Sequence, residues 1–590
     1  MSPIVRVEVA CLLAALVYLV VGTESYTHGS TYFNPILPGF HPDPSCIFVE
    51  KWHSTFFCAS SSFNAFPGIP LHASKDLQSW KLIGHVLNRR EQLPRLAETN
   101  RSTSGIWAPT LRFHDDRFWL VTTLVDDDRE ADDASRWDNV IFQSDDPFDP
   151  SAWSEATHFD FEGYDTSPVW DSDGKTYIVG AHAWKVYPGI LLAEADLETG
   201  ETGEWEAIWN GTGGTAPEGP HIYSKDGWHY LLAAEGGTGL EHMVTMSRSK
   251  NIRGPYEANP SNPVLTNANT TNYFQTVGHA DLFQDSSSNW WGVALSTRSG
   301  PGYLNYPMGR ETVMVPVEWE DGQFPVWSPL NGEMSGWEFP KGDVEVKGTG
   351  PIIAEGDVIK FEPGSSLPAH FTYWRFPISD SYTISPPDHP NTLRLRPSKL
   401  NLTGLNGNYA GPDGQTFVGR RQQDTLFTYS VTLNYIPTSF EEEAGISAFL
   451  TQNHHLDLGV VLLPANESTA FLDDTDYSTS PSELIAQLRF RGISYVPVPD
   501  DVIAPIPKSW TSKPLRLEIK AHNMTHYSMS AGPADALSEM RTILEVSNAP
   551  VSWGFTGVIL GVYCTSNGYE GDTPAYFSEW RYTPQGQFRN

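Results

Sequence analysis

Short runs of apolar and aromatic residues, each closed by a polar turn, follow one another through residues 26–335, and none sustains a helical period. Asp-Gly, Asp-Asp, Ser-Ser-Asn and Pro-rich breaks separate the runs, so the segment reads as strands throughout. One unit recurs five times: a breaker, a few strand residues, an aromatic, a polar turn and a second aromatic-rich strand. The copies are HPDPSCIFVEKWHSTFFCAS from His41, WAPTLRFHDDRFWLVTT from Trp107, YDTSPVWDSDGKTYIVGA from Tyr164, PEGPHIYSKDGWHYLLAA from Pro217 and GHADLFQDSSSNWWGVALS from Gly278. In four copies one position lies five residues before the first aromatic: Asp43 before Phe48, Ala108 before Phe113, Asp165 before Trp170 and Glu218 before Tyr223. The fifth copy offers Gly278 or, one residue later, His279 before Phe283. A spacing of about 50 to 65 residues is the period of one four-stranded propeller blade with its loops. Unequal spacing and strong inner hairpins favour radial closure over a solenoid, and predict a five-bladed β-propeller.

Residues 336–365 are Gly-rich and strand-poor, and read as a linker. Beyond them, over residues 366–590, segments such as DTLFTYSVTLNYI, LDLGVVLL, LIAQLRFRGISYVPV and GFTGVILGVYCTS alternate apolar and polar positions. That pattern predicts a β-sandwich of two packed sheets. A short helix is expected only around Pro533–Arg541. The chain as a whole is therefore all-β.

Composition narrows the partners. A net charge of −33 disfavours nucleic acid and anionic membranes. Twenty Trp and 24 Tyr exceed what β cores require and suit a surface that stacks on sugar rings. Arg6 followed by an apolar run from Ala10 to Val21 is too short to span a bilayer and reads as a signal peptide over residues 1–25. Sequons at Asn100, Asn210, Asn269, Asn401, Asn466 and Asn523 fit a secreted, extracellular glycoprotein. After cleavage Cys46, Cys58 and Cys564 remain; Cys46 and Cys58 lie on the two strands of one predicted hairpin and could face each other, which leaves a bridge between them open. No spacing suggests structural zinc.

The repeat itself carries the chemistry. In a ring of blades, the ends of the inner strands open into one funnel, where Asp43, Asp165 and Glu218 would gather. Three carboxylates in one pocket cannot all ionise cheaply, so one becomes an acid while another remains a base. Such a pair across a bond is what glycoside hydrolysis uses. Asp43 and Asp165 each have an ordinary turn or capping role open to them, whereas Glu218, between Pro217 and Gly219, has none. Asp281 is not equivalent to these three and is left out of the chemistry.

The segments NPILPGFHPDPSCI, GIWAPTLRF, YDTSPVWDSDGKTYIV, APEGPHIY, GHADLF and GRETVMVPVEW resemble glycoside hydrolase family 43, which groups β-xylosidases, α-L-arabinofuranosidases and arabinanases. The C-terminal half resembles the concanavalin A-like β-sandwich of its β-xylosidase-type members. The resemblance implies an inverting mechanism, with Asp43 as general base, Glu218 as general acid and Asp165 tuning that acid. It also implies sugar binding by Arg310, and His279 near the channel axis beside water or a calcium ion. Phe63, Trp107 and Trp170 would be the apolar walls against which a pentose stacks. An inverting pair would stand roughly 6.5–9.5 Å apart. The expected substrates are plant cell-wall arabinoxylan or xylo-oligosaccharides, with β-D-xylose or α-L-arabinofuranose released and no organic cofactor needed. Two other readings stand beside this one. A non-catalytic sugar-binding propeller would not need the carboxylate trio, and a fructan- or sucrose-active enzyme would carry WMNDPN-like and RDP segments that are absent.

Overall fold

The structure is a computed structural model that describes residues 30–590 except 173, 342–344, 408–413 and 473–479. The leader expected over residues 1–25 lies outside the described residues. Five antiparallel sheets of four or five strands follow one another between Ser45 and Trp327. Their inner strands are Ser45–Val49, Thr110–His114, Gly163–Trp170, Glu218–Lys225 and Phe274–Gln284, one from each sequence copy. Successive side chains of a strand point to opposite faces, so one row faces the axis and the other packs between blades. Ring closure is made by the flanking segments: Thr31–Phe33 pairs antiparallel with Glu333–Ser335. The Asn34 amide bonds Met314 in both directions.

The second half is a sandwich of two eight-stranded sheets. A core including Leu458, Leu517, Phe577 and Trp580 is buried between them. The expected short helix is a single 3-10 turn at Leu537–Glu539. Asp357–Ile359 pairs with the last strand of the sandwich, and Ile353 N–H donates to the Trp80 carbonyl of the first blade.

The halves share structure. Ala65–Phe66, in a loop of the first blade, extends one sandwich sheet by pairing with Tyr373 and Trp374. A fully buried Arg298–Glu311 ion pair in the fifth blade also reaches the Phe588 carbonyl (3.0 Å) near the C-terminus. Cys46 and Cys58 face each other in the first hairpin and are bridged; Cys564 is a buried free thiol.

Candidate active site

The inner strands begin in an unusual way. Asp43, Asp165, Gly219 and His279 all adopt positive φ, at 51°, 54°, 57° and 46°. In the third, fourth and fifth blades a bulge follows at this point, setting two residues against one on the neighbouring strand. The pairing makes Asp165, Gly219 and His279 equivalent, with Tyr164, Glu218 and Gly278 one residue earlier. Glu218 therefore enters from the position before the bulge, one step off the place that its distance from Tyr223 suggests. The reason is that Tyr223 shares the alternation of Val169, not that of Trp170. Because the bulge re-aims the chain, residues at both positions reach the same mouth.

There Asp43, Tyr164, Asp165, Glu218 and His279 line a cavity of about 220 Å³ with Arg310, and Phe63, Trp107, Trp184 and Phe555 form its aromatic walls. A larger apolar cavity of about 340 Å³ opens in the sandwich, but no carboxylate lines it and it holds no acid–base pair.

Asp43 is 4% exposed. Burial works against its charge, but Arg310, His279 and a 2.5 Å hydrogen bond from Ser61 outweigh it and hold the carboxyl below its usual range. Arg310 Nη1 lies 2.9 Å and Nη2 3.3 Å from its two oxygens. Glu218 is the opposite case. Burial, with the charge of Asp43 added, raises it to about 7 despite a 3.0 Å hydrogen bond from the Tyr164 hydroxyl. Asp165 is also pushed well up, by burial and then by Glu218 and Asp43, although the Gly219 amide donates to it at 3.0 Å. Asp165 and Glu218 are thus both pushed toward the protonated form, while Asp43 is held toward the ionised one.

His279 stands between two of the acids, its Nδ1 3.9 Å from Asp43 and 3.8 Å from Asp165. Its ring explains Gly219, where a Cβ would lie 3.1 Å from it. Trp170, by contrast, does not reach the cavity. It stacks on His114 (centroids 4.2 Å apart) at the other end of its strand, five residues from Asp165 and hence roughly 16 Å away.

Four contributors escaped the sequence reading. Tyr164 and Trp184 are separated from any motif logic by the bulge and by a loop. His242 is fully buried with Nε2 4.0 Å from Glu218, while its Nδ1–H donates to the Thr276 carbonyl. Gly278 must be glycine because a Cβ would fall 2.5 Å from that imidazole. Phe555 arrives from the sandwich; it stacks on Phe63 and its carbonyl accepts from Arg310 Nε at 3.1 Å.

The channel beneath His279 does not fit a calcium ion. The carboxylate of the fifth inner strand, Asp281, is taken by Arg112, bidentate at 2.7 and 3.0 Å, and Arg112 also lies 3.0 Å from His221 Nδ1. Ser45 and Tyr223 complete the coordination of Asp281. The single carboxylate is already neutralised by the guanidinium, so no charge is left to balance a divalent ion. Among the described residues no group of three or more acidic, His or Cys side chains is arranged to hold a metal.

The profile of glycosyl hydrolases family 43 matches residues 32–324, and that of the beta xylosidase C-terminal concanavalin A-like domain matches residues 359–583. A non-reducing end alpha-L-arabinofuranosidase of Bacteroides ovatus is 33% identical over 93% of this chain and 94% of its own. This chain is a family 43 glycosyl hydrolase. A xylosidase/arabinosidase of Humicola insolens is 30% identical over 90% of the hydrolase and 93% of the relative. The crystal structure of a xylan beta-1,4-xylosidase from Bacillus halodurans superposes with a TM-score of 0.77 at 27% identity, covering 93% and 99% of the two chains. The hydrolase thus joins a five-bladed propeller to a concanavalin A-like domain.

Trp107 and Trp170 separate wall from scaffold. Trp107→Ala is expected to lower kcat/KM about 10–100-fold, equivalent to about 1.4–2.8 kcal/mol of lost contact with the sugar. Trp170→Ala should leave kcat/KM within about twofold while lowering the melting temperature. Steady-state kinetics on both variants check this.

Proposed function

We propose that the hydrolase is a secreted, inverting exo-enzyme that removes single pentoses, β-D-xylose or α-L-arabinofuranose, from arabinoxylan or xylo-oligosaccharides. The observation that carries this is one cavity lined by two carboxyls in opposite surroundings, Asp43 held below its usual range by Arg310 and Glu218 raised by burial to about 7. Asp43, held charged by Arg310 and Ser61, takes a proton from water as that water attacks the anomeric carbon. Glu218 gives its proton to the departing glycosidic oxygen. Asp165 sits beside the acid on the Gly219 amide, where each carboxyl disfavours ionisation of the other and so favours a proton on Glu218. Arg310, anchored to Asp43 and to the Phe555 carbonyl, has Thr238 as its further partner and presents its edge to sugar hydroxyls.

A room of about 220 Å³ walled by Phe63, Trp107 and Phe555 suits one terminal sugar better than a continuous chain. The relatives named as arabinofuranosidase and xylosidase/arabinosidase support a pentose. Secretion rests on the leader and on six sequon asparagines, none of which is buried.

The deciding experiment compares p-nitrophenyl β-D-xylopyranoside with the α-L-arabinofuranoside, and follows the anomer released from xylobiose by NMR. Release of the inverted anomer is expected; the retained anomer, or no turnover of either pentoside, would sink the proposal. Phe555→Ala should raise KM about tenfold with a smaller change in kcat, since one apolar wall worth about 1–2 kcal/mol is lost. A KM unchanged in that variant would show that the sandwich does not close the site.

A further inference from the structure

A second polar cluster lies behind the first blade, where propeller, connecting segment and sandwich meet. His41, His72, His370, Arg420 and Arg421 line a cavity of about 20 Å³ there, walled also by Pro351 and Ile353. Arg421 is 5% exposed, His41 2% and His72 3%. Arg420 is provided for: it pairs with Asp357 at 2.9 Å, and that carboxylate also meets His370 Nε2 at 3.0 Å. Arg421 is not. Among the described residues no carboxylate lies within ion-pairing distance of it, its Nε and Nη2 have no hydrogen-bond partner, and the Phe40 ring, 5.3 Å away, is its one cation–π contact.

Four imidazoles around it share the deficit. His41 Nε2, His72 Nδ1, His85 Nε2 and His370 Nδ1 are all buried without partners, and the rings of His41 and His72 meet edge to face. The histidines cannot supply a negative charge, and Asp357 is committed to Arg420 and His370. A guanidinium buried without a counter-charge is among the costlier arrangements in a protein, and water satisfies its N–H groups without cancelling its charge. The room available, about one to two water-sized spheres, excludes phosphate, sulfate and carboxylic acids.

We propose that this cavity is a binding site for a small monatomic anion, chloride in ordinary buffers, held by Arg421 and imidazole N–H donors at the junction of the two domains. Burial and the field of Arg421 depress His41, His72 and His85, with His72 held at about 3, so the imidazoles are neutral donors at working pH. The ion would bridge the first blade, through His41 and His72, to the sandwich strand Phe417–Arg421. This inference is independent of the sugar specificity.

Two measurements on the full-length protein test it. In thermal unfolding at fixed ionic strength, exchanging sodium gluconate for sodium chloride or bromide should raise the melting temperature by about 2–5 °C and saturate. A crystal grown in bromide should show an anomalous peak beside Arg421. Arg421→Met should lose the halide response and be at least as stable as the parent in gluconate, since it removes the uncompensated charge. Melting that follows ionic strength alone, with a bromide map empty at Arg421, would overturn the proposal. Should Arg421→Met fail to fold, the bromide map of the parent decides.

Discussion

Asp43→Asn is expected to reduce kcat by on the order of 10²–10⁴-fold with little change in fold. The amide is isosteric and can keep the Ser61 contact, so the loss is chemical: a neutral group cannot take the proton of the attacking water. The residual activity carries a second signature. The charge of Asp43 raises the Glu218 carboxyl, and Arg310, now without its carboxylate, opposes that rise more strongly. Both changes favour ionised Glu218, so the alkaline limb of the residual rate should move to lower pH. The acidic limb, which in the parent follows Asp43 below its usual carboxylate range, should disappear. A pH–rate profile of the variant checks both, and an alkaline limb that stays in place would mean that the two carboxyls are not coupled through this cavity.

The second large effect concerns Glu218. In the parent, kcat/KM should fall as pH rises through about 7, where the acid loses its proton. Glu218→Gln should remove this limb and lower the rate by about 10²–10⁴-fold on xylobiose. The loss should be much smaller on a p-nitrophenyl glycoside, whose leaving group departs without protonation. Stability moves the other way. Burial lifts Glu218 from 4.5 to about 7, so between these values the folded protein binds more protons than the unfolded chain. Stability from this group is full below about pH 4.5, declines as pH rises to about 7, and is lost above it. Gln carries no such penalty, and Glu218→Gln should therefore be more stable than the parent at pH 8, by on the order of 2–3 kcal/mol, with no difference near pH 4. Melting curves at the two pH values test this. A variant less stable at both would show that Glu218 is stabilised, not strained, by its surroundings.

Much of the site was legible because strand periodicity is local. A unit repeated five times implies a ring, and a ring brings equivalent ends together whatever the details of packing. Asp43, Asp165 and Glu218 could thus be assigned to one mouth from spacing, with Arg310 and His279 added by the family resemblance, and all five line one cavity. The same logic misplaced Trp170, because an aromatic counted from a carboxylate says nothing about which end of the strand it occupies. It also set Glu218 level with Asp165, since the count ran to Tyr223, which occupies the place of Val169 and not that of Trp170.

What the sequence by itself determined is therefore the class of fold, the number of blades and the identity of the acidic trio, all properties of near neighbours along the chain. Only tertiary structure decided the rest. Phe555, hundreds of residues from Asp43, walls the cavity; Arg112 crosses to Asp281; Arg421 lines one small cavity with His41 and His72. Ionisation follows the same division. Asp43 and Glu218 are chemically similar carboxyls, and their opposite shifts arise from the guanidinium, imidazole and hydroxyl groups that folding sets beside each in a space sheltered from water.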